Sequence, residues 1–372
     1  MKKVLLVATV QSHIAQFHKP LIQWLEESGY QVDVAARNNL ALKPNLHLDV
    51  KGNIYDIPFE RSPFSPKNLK AYFALKKVIT TGNYDVIHCN TPVGGILTRL
   101  AANAKRKKGE VKVIYEAHGF HFFKGGPLKN WLLWYPVEKL CAYFTDVLIT
   151  INREDYFLAQ KKIKAPKVEY VPGVGVDLCR FNSNFDGNDA LRKELGIPQN
   201  AKVLLSIGEL NKNKNHELVI RAIKGLDAYY IIAGNGALHD YLLDTANELE
   251  MADRVKLLGY RRDIKEICNM SDVYIFPSFR EGLSVSVMEA MACGLPVVCS
   301  KIRGNTDLID EHGGRLFDPH SVDDCTDAIN EVLSEDLKLF GSYNMEKVKE
   351  FSVEKICVKM QEIYRELLNN AK

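Results

Sequence analysis

The sequence predicts an α/β protein made of two doubly wound domains, each with a parallel sheet covered by helices on both faces. Short apolar runs such as Val4–Val10 and Lys202–Ile207 alternate with longer helical segments along the chain. The runs are continuously apolar rather than alternating, which is typical of strands that are buried on both faces. At 372 residues the chain is also long enough for two such domains.

In the first domain, seven apolar runs read as strands and are separated by helical or polar segments. We expect these strands at Val4–Val10, Gln31–Ala36, Ile54–Phe59, Tyr84–His88, Val111–Glu116, Asp146–Ile151 and Val168–Val171. Helices are expected at Ile14–Glu27, Pro66–Thr80 and Asn130–Phe144, with another from Pro92 to about Ala104. Strand and helix repeated in this way indicate a doubly wound fold.

A second set of strands begins after a hinge at Val171–Asp177 and a polar stretch at Asn182–Asp189. Its strands are expected at Lys202–Ile207, Ala228–Ala233, Arg254–Leu258, Asp272–Phe276 and Leu295–Cys299. We therefore place the domains at residues 1–175 and 176–352, followed by a last helix at 353–372.

The composition is that of a globular protein without a membrane span. Hydrophobic residues make up 46% of the chain and charged residues 26%, and the net charge of +3 does not require a nucleic-acid partner. No run of 18 apolar residues occurs. The start, Met1–Val10, reads as a buried strand rather than a signal peptide, and the eight cysteines form no CxxC pair. We expect reduced thiols and a cytoplasmic protein.

The stretch Pro277–Val298 carries the most specific chemistry in the chain. It reads as a loop, a helix over Val285–Cys293 that stops at Gly294, and a further strand. The N-terminus of such a helix attracts phosphate, and small residues such as Gly282 and Ser284 let a ligand approach the backbone. Glu281 could accept hydrogen bonds from sugar hydroxyls. Glu289 could hold a ribose.

The pattern E-x7-E followed by Ala-Met-Ala-Cys-Gly-Leu-Pro-Val-Val resembles the retaining nucleotide-sugar glycosyltransferases of family 4, which have the GT-B fold. In that fold two domains face a central cleft, and the last helix (353–372) crosses back onto the first domain. The resemblance implies donor-binding roles for a set of residues in the second domain: Gly208, Lys214, Gly234, Arg262, Arg280, Gly282, Leu283, Ser284 and Glu289.

The segment after the first strand of the second domain departs from the family pattern. Family members carry an Arg and a Lys there that bind the diphosphate; Lys214 matches the Lys, whereas Glu209 replaces the Arg. Lys212, Arg261 or Arg280 could supply the missing charge. Gly234 belongs to a G-x-G turn that either contacts the nucleotide or is only a tight turn, and Arg262 either lies near the base or pairs with Asp263.

Histidines follow two strands of the first domain. His118 matches the histidine that lies beside the reacting sugar in the family, so the resemblance implies a catalytic role for His118 together with Glu281. His121 and His13 are expected on the acceptor side, whereas His18 reads as ordinary helix surface. The aromatic segment Gly125–Pro136 is either a core helix or a membrane-interface helix, and both interpretations stay open.

The function expected from these residues is retaining transfer of a sugar from a nucleoside diphosphate sugar, with UDP the expected nucleotide, to a hydroxyl of a glycan or lipid-linked glycan. Because no D-x-D pair suggests a metal, no metal or other cofactor is expected, and the protein itself should stabilise the leaving diphosphate. Surface polysaccharide or lipopolysaccharide assembly is the expected setting, with peripheral contact at the inner membrane leaflet. The alternatives are a UDP-sugar 2-epimerase and a non-enzymatic sugar-nucleotide-binding scaffold. An oxidoreductase is disfavoured because no first βα turn carries G-x-G-x-x-G.

Overall fold

The computed structural model describes residues 2–43, 46–183 and 189–369. Contacts divide the chain into two units: the first comprises Met1–Val174 and Glu354–Lys372, and the second comprises Gly175–Val353. Residues 184–188 of the polar stretch after the hinge lie outside the described residues, as do the last three of the helix expected at 353–372.

The first unit contains, in its described part, a parallel sheet of seven strands with helices on both faces. Its strands are β1 (Lys3–Val10), β2 (Gln31–Arg37), β3 (Ile54–Asp56), β4 (Val86–Asn90), β5 (Lys112–Ala117), β6 (Val147–Thr150) and β7 (Lys167–Tyr170). Its helices include α1 (Gln11–Phe17), α2 (Lys19–Glu27), α3 (Lys67–Gly82), α4 (Pro92–Lys107), α5 (Leu128–Ala142) and α6 (Arg153–Lys162). The strand order is β3-β2-β1-β4-β5-β6-β7, so the order reverses between β1 and β4.

Strand β1 shows why these runs are continuously apolar. Leu5 and Val7 point into one hydrophobic cluster, whereas Val4, Leu6 and Ala8 point into a second cluster on the opposite face. All five side chains are fully buried, and burying a leucine contributes about 2 kcal/mol. A strand covered on both faces has no solvent side, so the alternation of polar residues is lost.

The single helix expected over Ile14–Glu27 is in fact two helices. Helix α1 ends at Phe17 and α2 begins at Lys19, with His18 between them outside the helical region (φ −115°, ψ 9°). Pro20 lies in the first turn of α2, where its missing N–H is harmless, but it cannot continue a preceding helix. The one-helix prediction is therefore wrong, and the break places His18 at a corner of the backbone.

The second unit has a parallel sheet of six strands within its described residues. These are β8 (Lys202–Ile207), β9 (Ala228–Ala233), β10 (Val255–Gly259), β11 (Val273–Phe276), β12 (Val297–Ser300) and β13 (Gly314–Phe317). The helices are α7 (Asp189–Glu194), α8 (His216–Ala222), α9 (His239–Glu248), α10 (Ile264–Asn269), α11 (Val285–Ala292), α12 (Asn305–Leu308), α13 (Val322–Ser334) and α14 (Leu337–Lys347). The order β10-β9-β8-β11-β12-β13 reverses between β8 and β11, and the predicted class of two doubly wound sheets is confirmed.

The last helix, α15 (Val353–Asn369), packs on the first unit from Glu354 onward. Ile356, Met360 and Ile363 join the cluster that contains Val4 and Leu6. Their spacing of four and three residues places them on one face of the helix. Among the described residues, no helix combines the length and the apolar character that are needed to cross a bilayer.

All eight cysteines lie in described parts of the chain and are free thiols. Six of them are buried, Cys357 is half-buried and Cys179 is exposed. Burial in apolar surroundings raises the pKa of Cys299 and Cys325, which keeps these thiols protonated and unreactive.

Candidate active site

In open parallel sheets, ligands bind beyond the carboxyl ends of the strands where the strand order reverses. In the second unit this point lies between β8 and β11, and the two loops that follow these strands are joined by hydrogen bonds. The backbone N–H of Phe279 donates to the Asn213 carbonyl at 2.8 Å, and the Asn213 side-chain amide donates to the Arg280 carbonyl at 3.0 Å. Asn215 likewise donates to the Pro277 carbonyl at 3.2 Å.

Two predicted site residues meet between these loops. Nζ of Lys214 lies 2.8 Å from Oε1 of Glu281 and 4.6 Å from the centre of the Phe276 ring. The side chains of Lys214 and Glu281 are 20% and 18% exposed, so both groups are held in place and remain accessible from solvent. Gly208 leaves space for the lysine, because a Cβ added there would lie 3.2 Å from Lys214 Cε.

Helix α11 begins directly after Glu281–Ser284. Ser284 is its N-cap, and Oγ of Ser284 accepts a hydrogen bond from the Val287 N–H at 3.4 Å. Ser284 and Leu283 are buried, whereas Gly282 is half-buried. The serine cap uses one of the N–H groups of the first turn, and the positive end of the helix dipole still favours an anion here.

Glu289 lies in the second turn of α11. Burial raises its pKa to about 7, while Arg180 acts in the opposite direction. The carboxyl group is therefore close to half-protonated at neutral pH, unlike an ordinary surface glutamate. A carboxyl group with this property is more typical of a ligand contact than of a solvated helix face.

The G-x-G turn after β9 packs against the loop after β8. A Cβ at Gly234 would lie 1.8 Å from the Gly208 carbonyl oxygen, and one at Gly236 would lie 2.3 Å from that of Leu210. The Leu210 N–H donates to the Asn235 carbonyl at 3.0 Å. Backbone packing is sufficient to explain both glycines, and contact of Gly234 with a nucleotide stays a prediction.

The ion pair in the loop after β10 is not the Arg262–Asp263 pair that the sequence left open as an alternative. Asp263 pairs with Arg261, whose Nε donates to Oδ1 at 2.8 Å, and not with Arg262. This contact lowers the pKa of Asp263, and Arg261 lies after β10, which β9 separates from β8, so it is a poor substitute for the cation missing at Glu209. Arg262 and Arg280 are exposed, and their donor contacts stay predictions.

Lys212 is also exposed, and it borders a cavity of about 550 Å³ that reaches from Asn211 to Phe279. Neither Lys214 nor Glu281 lines this cavity. Its volume suits a ligand, but the predicted residues with the most specific chemistry meet beside it. We therefore place the candidate site at the Lys214–Glu281 pair, with Lys212 on the neighbouring surface.

In the first unit, the ends of β1, β4 and β5 bring four histidines together. The ring centre of His13 lies 4.7 Å from that of His118 and 5.4 Å from that of His18. His18 also lies 6.0 Å from His88, which is fully buried on β4. The prediction that His18 is helix surface is wrong, because the break between α1 and α2 turns its ring inward, where it is only 3% exposed.

Glu116 on β5 lies between two of these histidines. Its Oε1 is 3.3 Å from Nε2 of His118, and its Oε2 is 3.1 Å from Nε2 of His88. Nδ1 of His88 in turn lies 3.0 Å from the hydroxyl of Tyr364 on α15. Burial alone would raise the pKa of Glu116, but the neighbouring histidines outweigh it and keep the pKa below its usual range.

Burial lowers the pKa of His13, His18 and His118, and that of His18 falls to about 3. These imidazoles are therefore neutral at neutral pH. His121 lies apart from the cluster on the loop that follows β5, and its ring stacks on Trp134 of α5 at 4.4 Å. Its acceptor-side role stays a prediction.

The fold also brings to these places several residues for which the sequence predicts no role. Arg303 donates from Nε to the Glu281 carbonyl at 3.2 Å, and a Cβ at Gly304 would lie 2.2 Å from the Gly282 carbonyl oxygen. In the first unit the overlooked residues are His88 and Glu116. The positions of these residues in the sequence could have indicated a role. Arg303 follows β12, and His88 and Glu116 lie near the carboxyl ends of their strands.

Segment 125–136 is in part a core helix, and its membrane-interface interpretation stays a prediction. Trp131 and Trp134 of α5 pack against the core of the first unit. Leu128 and Leu132 of the same helix are 72% and 68% exposed. The tryptophans therefore belong to the core, while the leucines form an apolar surface.

Comparison with known proteins matches two family models to the chain. Residues 187–347 match the model described as "Glycosyl transferases group 1", and residues 3–152 match "Glycosyl transferase 4-like". EpsD of Bacillus subtilis (strain 168), named as a glycosyltransferase, is 41% identical over 326 residues, which cover 85% of this chain and 83% of that protein. The UDP-Gal:alpha-D-GlcNAc-diphosphoundecaprenol alpha-1,3-galactosyltransferase of Escherichia coli is 29% identical over 317 residues, covering 82% and 81%.

Solved structures share the fold over nearly the whole chain. Sucrose-phosphate synthase from Thermosynechococcus elongatus has a TM-score of 0.82 at 19% identity and covers 100% of both chains. HepE of Anabaena, in complex with UDP and glucose, has a TM-score of 0.79 at 21% identity and covers 98% of this chain and all of its own. These similarities confirm the predicted GT-B fold.

Proposed function

The chain belongs to the group 1 glycosyltransferases, and on this premise we propose that it moves a sugar from a UDP-sugar to a hydroxyl of a lipid-linked glycan, with retention at the anomeric carbon. The relatives and family models named above are transferases rather than epimerases. The E. coli relative is named for a UDP-linked donor and a diphosphoundecaprenol-linked acceptor, which favours the same substrate classes here.

The observation that carries the donor proposal is the Lys214–Glu281 pair beside the start of α11. A diphosphate needs positive charge and N–H donors, which Lys214 and the first turn of the helix supply. Glu281 then accepts hydrogen bonds from the sugar hydroxyls, and Glu289 accepts them from the ribose. Both carboxylates thus bind the uncharged parts of the donor and avoid its phosphates.

Stabilisation of the leaving diphosphate is the main contribution of these groups to the reaction. Negative charge grows on the diphosphate as its bond to the anomeric carbon breaks, and preorganised donors lower the barrier because they need no reorientation. Lys214 is already held by Glu281 and by the Phe276 ring, so little side-chain entropy is lost when phosphate binds. We propose that diphosphate binding at this place needs no metal ion.

Because Glu209 replaces the Arg of the family pattern, the second cation for the diphosphate has to come from another residue. Glu209 carries a carboxyl group, and Arg261 lies on the loop after β10, a strand that β9 separates from β8. Arg280 and Lys212 are the exposed cations of the two loops. We propose Arg280 for this role, because its backbone carbonyl is tied to Asn213 next to Lys214.

In the first unit, His118 is the group we propose to contact the reacting sugar. Its Nε2 lies 3.3 Å from Glu116 and 3.2 Å from Oδ1 of Asn90, and these contacts hold the ring in one orientation. His13 lies beside it at the end of the sheet where ligands are expected and is proposed on the acceptor side.

A lipid-linked acceptor requires the protein to work at a membrane surface, and the first unit offers an apolar and basic face for this. Helices α3, α4 and α5 pack side by side. Their exposed apolar residues include Leu69 and Phe73 on α3 and Leu128 and Leu132 on α5. Exposed lysines lie on the same helices: Lys67, Lys70, Lys76, Lys77, Lys107 and Lys129. We propose peripheral contact of this face with anionic lipid, in surface polysaccharide biosynthesis on the cytoplasmic side of the membrane.

The donor proposal is tested by a thermal-shift screen with UDP, GDP, ADP and their sugar conjugates, run with and without EDTA. Ligand at 100 times its Kd stabilises the folded state by about 2.7 kcal/mol, which raises Tm measurably. We expect UDP and one UDP-sugar to raise Tm in both conditions. A shift with another nucleotide only, or one abolished by EDTA, would contradict the proposal.

Transfer itself is tested with the UDP-sugar that binds and a short-chain prenyl diphosphate-linked sugar as acceptor. Proton NMR of the product gives the configuration of the new bond, and we expect the configuration of the donor. An epimer of the UDP-sugar formed without acceptor would instead support the 2-epimerase.

A further inference from the structure

Four side chains of the first unit are joined in a line that runs from the last helix to His118; we call them the His118 network. The hydroxyl of Tyr364 on α15 lies 3.0 Å from Nδ1 of His88, and Nε2 of His88 lies 3.1 Å from Oε2 of Glu116. Oε1 of Glu116 lies 3.3 Å from Nε2 of His118. Tyr364 and His88 are fully buried and Glu116 is nearly so, which means that only the His118 end of the line reaches solvent.

The charge of Glu116 fixes the direction of these hydrogen bonds. Burial acts to raise the pKa of Glu116, but the contacts with His118 and His88 outweigh it, and the group is a carboxylate at neutral pH. A carboxylate only accepts hydrogen bonds, so both histidines have to donate to it from Nε2. A neutral imidazole that carries its proton on Nε2 has a lone pair on Nδ1. In His88 this lone pair accepts from Tyr364, whose hydroxyl keeps its proton because burial raises its pKa.

His118 has one ring nitrogen left for a ligand. Its Nε2 lies 3.2 Å from Oδ1 of Asn90 as well as 3.3 Å from Glu116, so the proton on this nitrogen faces two acceptors. In the described part of the chain no group hydrogen-bonds to Nδ1, and the side chain is 21% exposed. A substrate that hydrogen-bonds to a ring nitrogen therefore has to do so at Nδ1, where it meets a lone pair and not a proton.

We propose that Glu116, His88 and Tyr364 are positioning residues that hold the proton of His118 on Nε2, so that Nδ1 accepts a hydrogen bond from a hydroxyl of the reacting sugar. This inference rests on the proposed contact of His118 with that sugar, and it adds the direction of the hydrogen bond. It also gives α15 a part in the chemistry of His118, because Tyr364 lies on that helix.

The direction of the hydrogen bond matters because of the charge that develops on the sugar. Positive charge grows on the sugar ring as the bond to its leaving group breaks. A hydroxyl that donates to Nδ1 becomes more electron-rich and stabilises this charge, and the carboxylate of Glu116 behind the imidazole favours it as well. A proton on Nδ1 would have the opposite effect, since the imidazole would then draw electrons from the hydroxyl. The contact is therefore stronger in the transition state than in the ground state, which is the condition for a faster reaction.

The first test determines the tautomer of His118 in the full chain, labelled with nitrogen-15 in its histidines and studied without donor or acceptor. Nitrogen NMR distinguishes a protonated ring nitrogen from an unprotonated one, and the resonances of His118 are those missing from the His118→Gln variant. We expect a protonated Nε2 and an unprotonated Nδ1. A proton on Nδ1, or a mixture of the two tautomers, overturns the proposal.

The second test asks whether Glu116 imposes this tautomer. Glu116→Gln keeps the shape but removes the charge, and its amide can donate to one histidine while it accepts from the other. We expect the two tautomers of His118 to be mixed in this variant. A spectrum of His118 identical to that of the unaltered chain overturns the role of Glu116. If the variant fails to fold, the tautomer in the unaltered chain still decides the proposal.

Kinetics separate positioning from a merely structural role. With UDP-sugar and acceptor, kcat should fall at least about tenfold in Glu116→Gln and about threefold in Tyr364→Phe, while UDP affinity changes by less than about twofold. The matched control is Tyr84→Phe, because Tyr84 is a buried tyrosine of the same unit whose hydroxyl donates to Oδ2 of Asp33 at 2.8 Å. This control should lower Tm and leave kcat unchanged.

The outcomes of the kinetic test are distinct from those of the proposed function. Unchanged kcat in Glu116→Gln overturns the proposal, and so does an equal loss of kcat in Tyr84→Phe. Unchanged kcat in Tyr364→Phe removes α15 from it. Absence of transfer by the unaltered chain would instead contradict the proposed function, and the nitrogen spectra would still decide the tautomer of His118.

Discussion

Nζ of Lys214 lies 2.8 Å from Oε1 of Glu281, although 67 residues separate them in the chain. The contact joins the loops after β8 and β11 at the point where the strand order reverses. Each partner holds the other near the start of α11, so a cation for phosphate and an acceptor for hydroxyls stand side by side.

Replacing Lys214 by alanine should lower both UDP affinity and transfer at least about tenfold. A hydrogen bond to a charged group contributes about 1.5–3 kcal/mol, which corresponds to roughly a 10–100-fold change. Lys212→Ala is the matched control, since Lys212 lies two residues away and is exposed. Titration calorimetry with UDP measures the affinity. A larger loss in the Lys212 variant would move the phosphate to the neighbouring cavity.

Replacing Glu281 by glutamine should separate binding from turnover. The glutamine keeps the shape but loses the charge that orients the sugar, so transfer should fall at least about tenfold while UDP affinity changes by less than about threefold. Initial rates with the UDP-sugar and calorimetry with UDP provide the two numbers. Unchanged turnover would remove Glu281 from the site.

The pH dependence of nucleotide binding should depend on Glu289. Its pKa is raised to about 7 in the free protein, and only the carboxylate accepts hydrogen bonds from both ribose hydroxyls. UDP affinity should therefore rise by up to about tenfold between pH 6 and pH 8. The UDP affinity of the Glu289→Gln variant should lack this rise. Subtracting its pH profile from that of the unaltered protein removes the contribution from the titration of UDP itself.

The stability of the free protein should change in the opposite direction with pH. Because the folded pKa of Glu289 is above that of the unfolded chain, its contribution to the free energy of unfolding is present at low pH and is lost as the pH rises through about 7. Urea unfolding at pH 6 and pH 8 measures this contribution as the difference from Glu289→Gln. A steeper fall in the glutamine variant would contradict the assignment.

Replacing Gly234 by alanine should destabilise the second unit. The new Cβ would lie 1.8 Å from the Gly208 carbonyl oxygen, and the two backbone segments have to separate, at a cost of about 1–3 kcal/mol. Gly225→Ala is the matched control, because nothing lies within 4 Å of a Cβ there. Its effect should stay within about 0.5 kcal/mol. Thermal unfolding with UDP absent measures both changes.

Replacing Leu128 and Leu132 by serine should weaken binding to vesicles that contain anionic phospholipid. Each leucine loses about 1.5–3 kcal/mol of burial if it inserts into the interface, so the double variant should bind at least about 100-fold more weakly. Leu339→Ser is the control, since Leu339 is 70% exposed on α14 in the second unit. Co-sedimentation measures binding. Equal binding by all three proteins would leave the apolar face of the first unit without this role.

The strands could be predicted from sequence because their signal is local. Lys202–Ile207 and Ala228–Ala233 have the predicted bounds, since each is a short apolar run that ends at polar or glycine residues. β13 was not predicted, because Gly314–Phe317 begins with a glycine and contains Arg315, so it is not a continuous apolar run. His18 was placed on a helix surface because the helical spacing of the sequence continues through Pro20, which in the structure lies in the first turn of a second helix.

Local sequence was sufficient to predict the alternating elements, the two doubly wound domains and the stretch around Glu281, because these depend on neighbouring residues and on a long motif. The tertiary structure alone decided which side chains meet: Lys214 with Glu281, Asp263 with Arg261, and His118 with Glu116, His13 and His18. The reason is that strand order, and not sequence separation, determines which loops share the carboxyl edge of a sheet. Residues far apart in the chain become neighbours only once β1, β4 and β5, or β8 and β11, lie side by side.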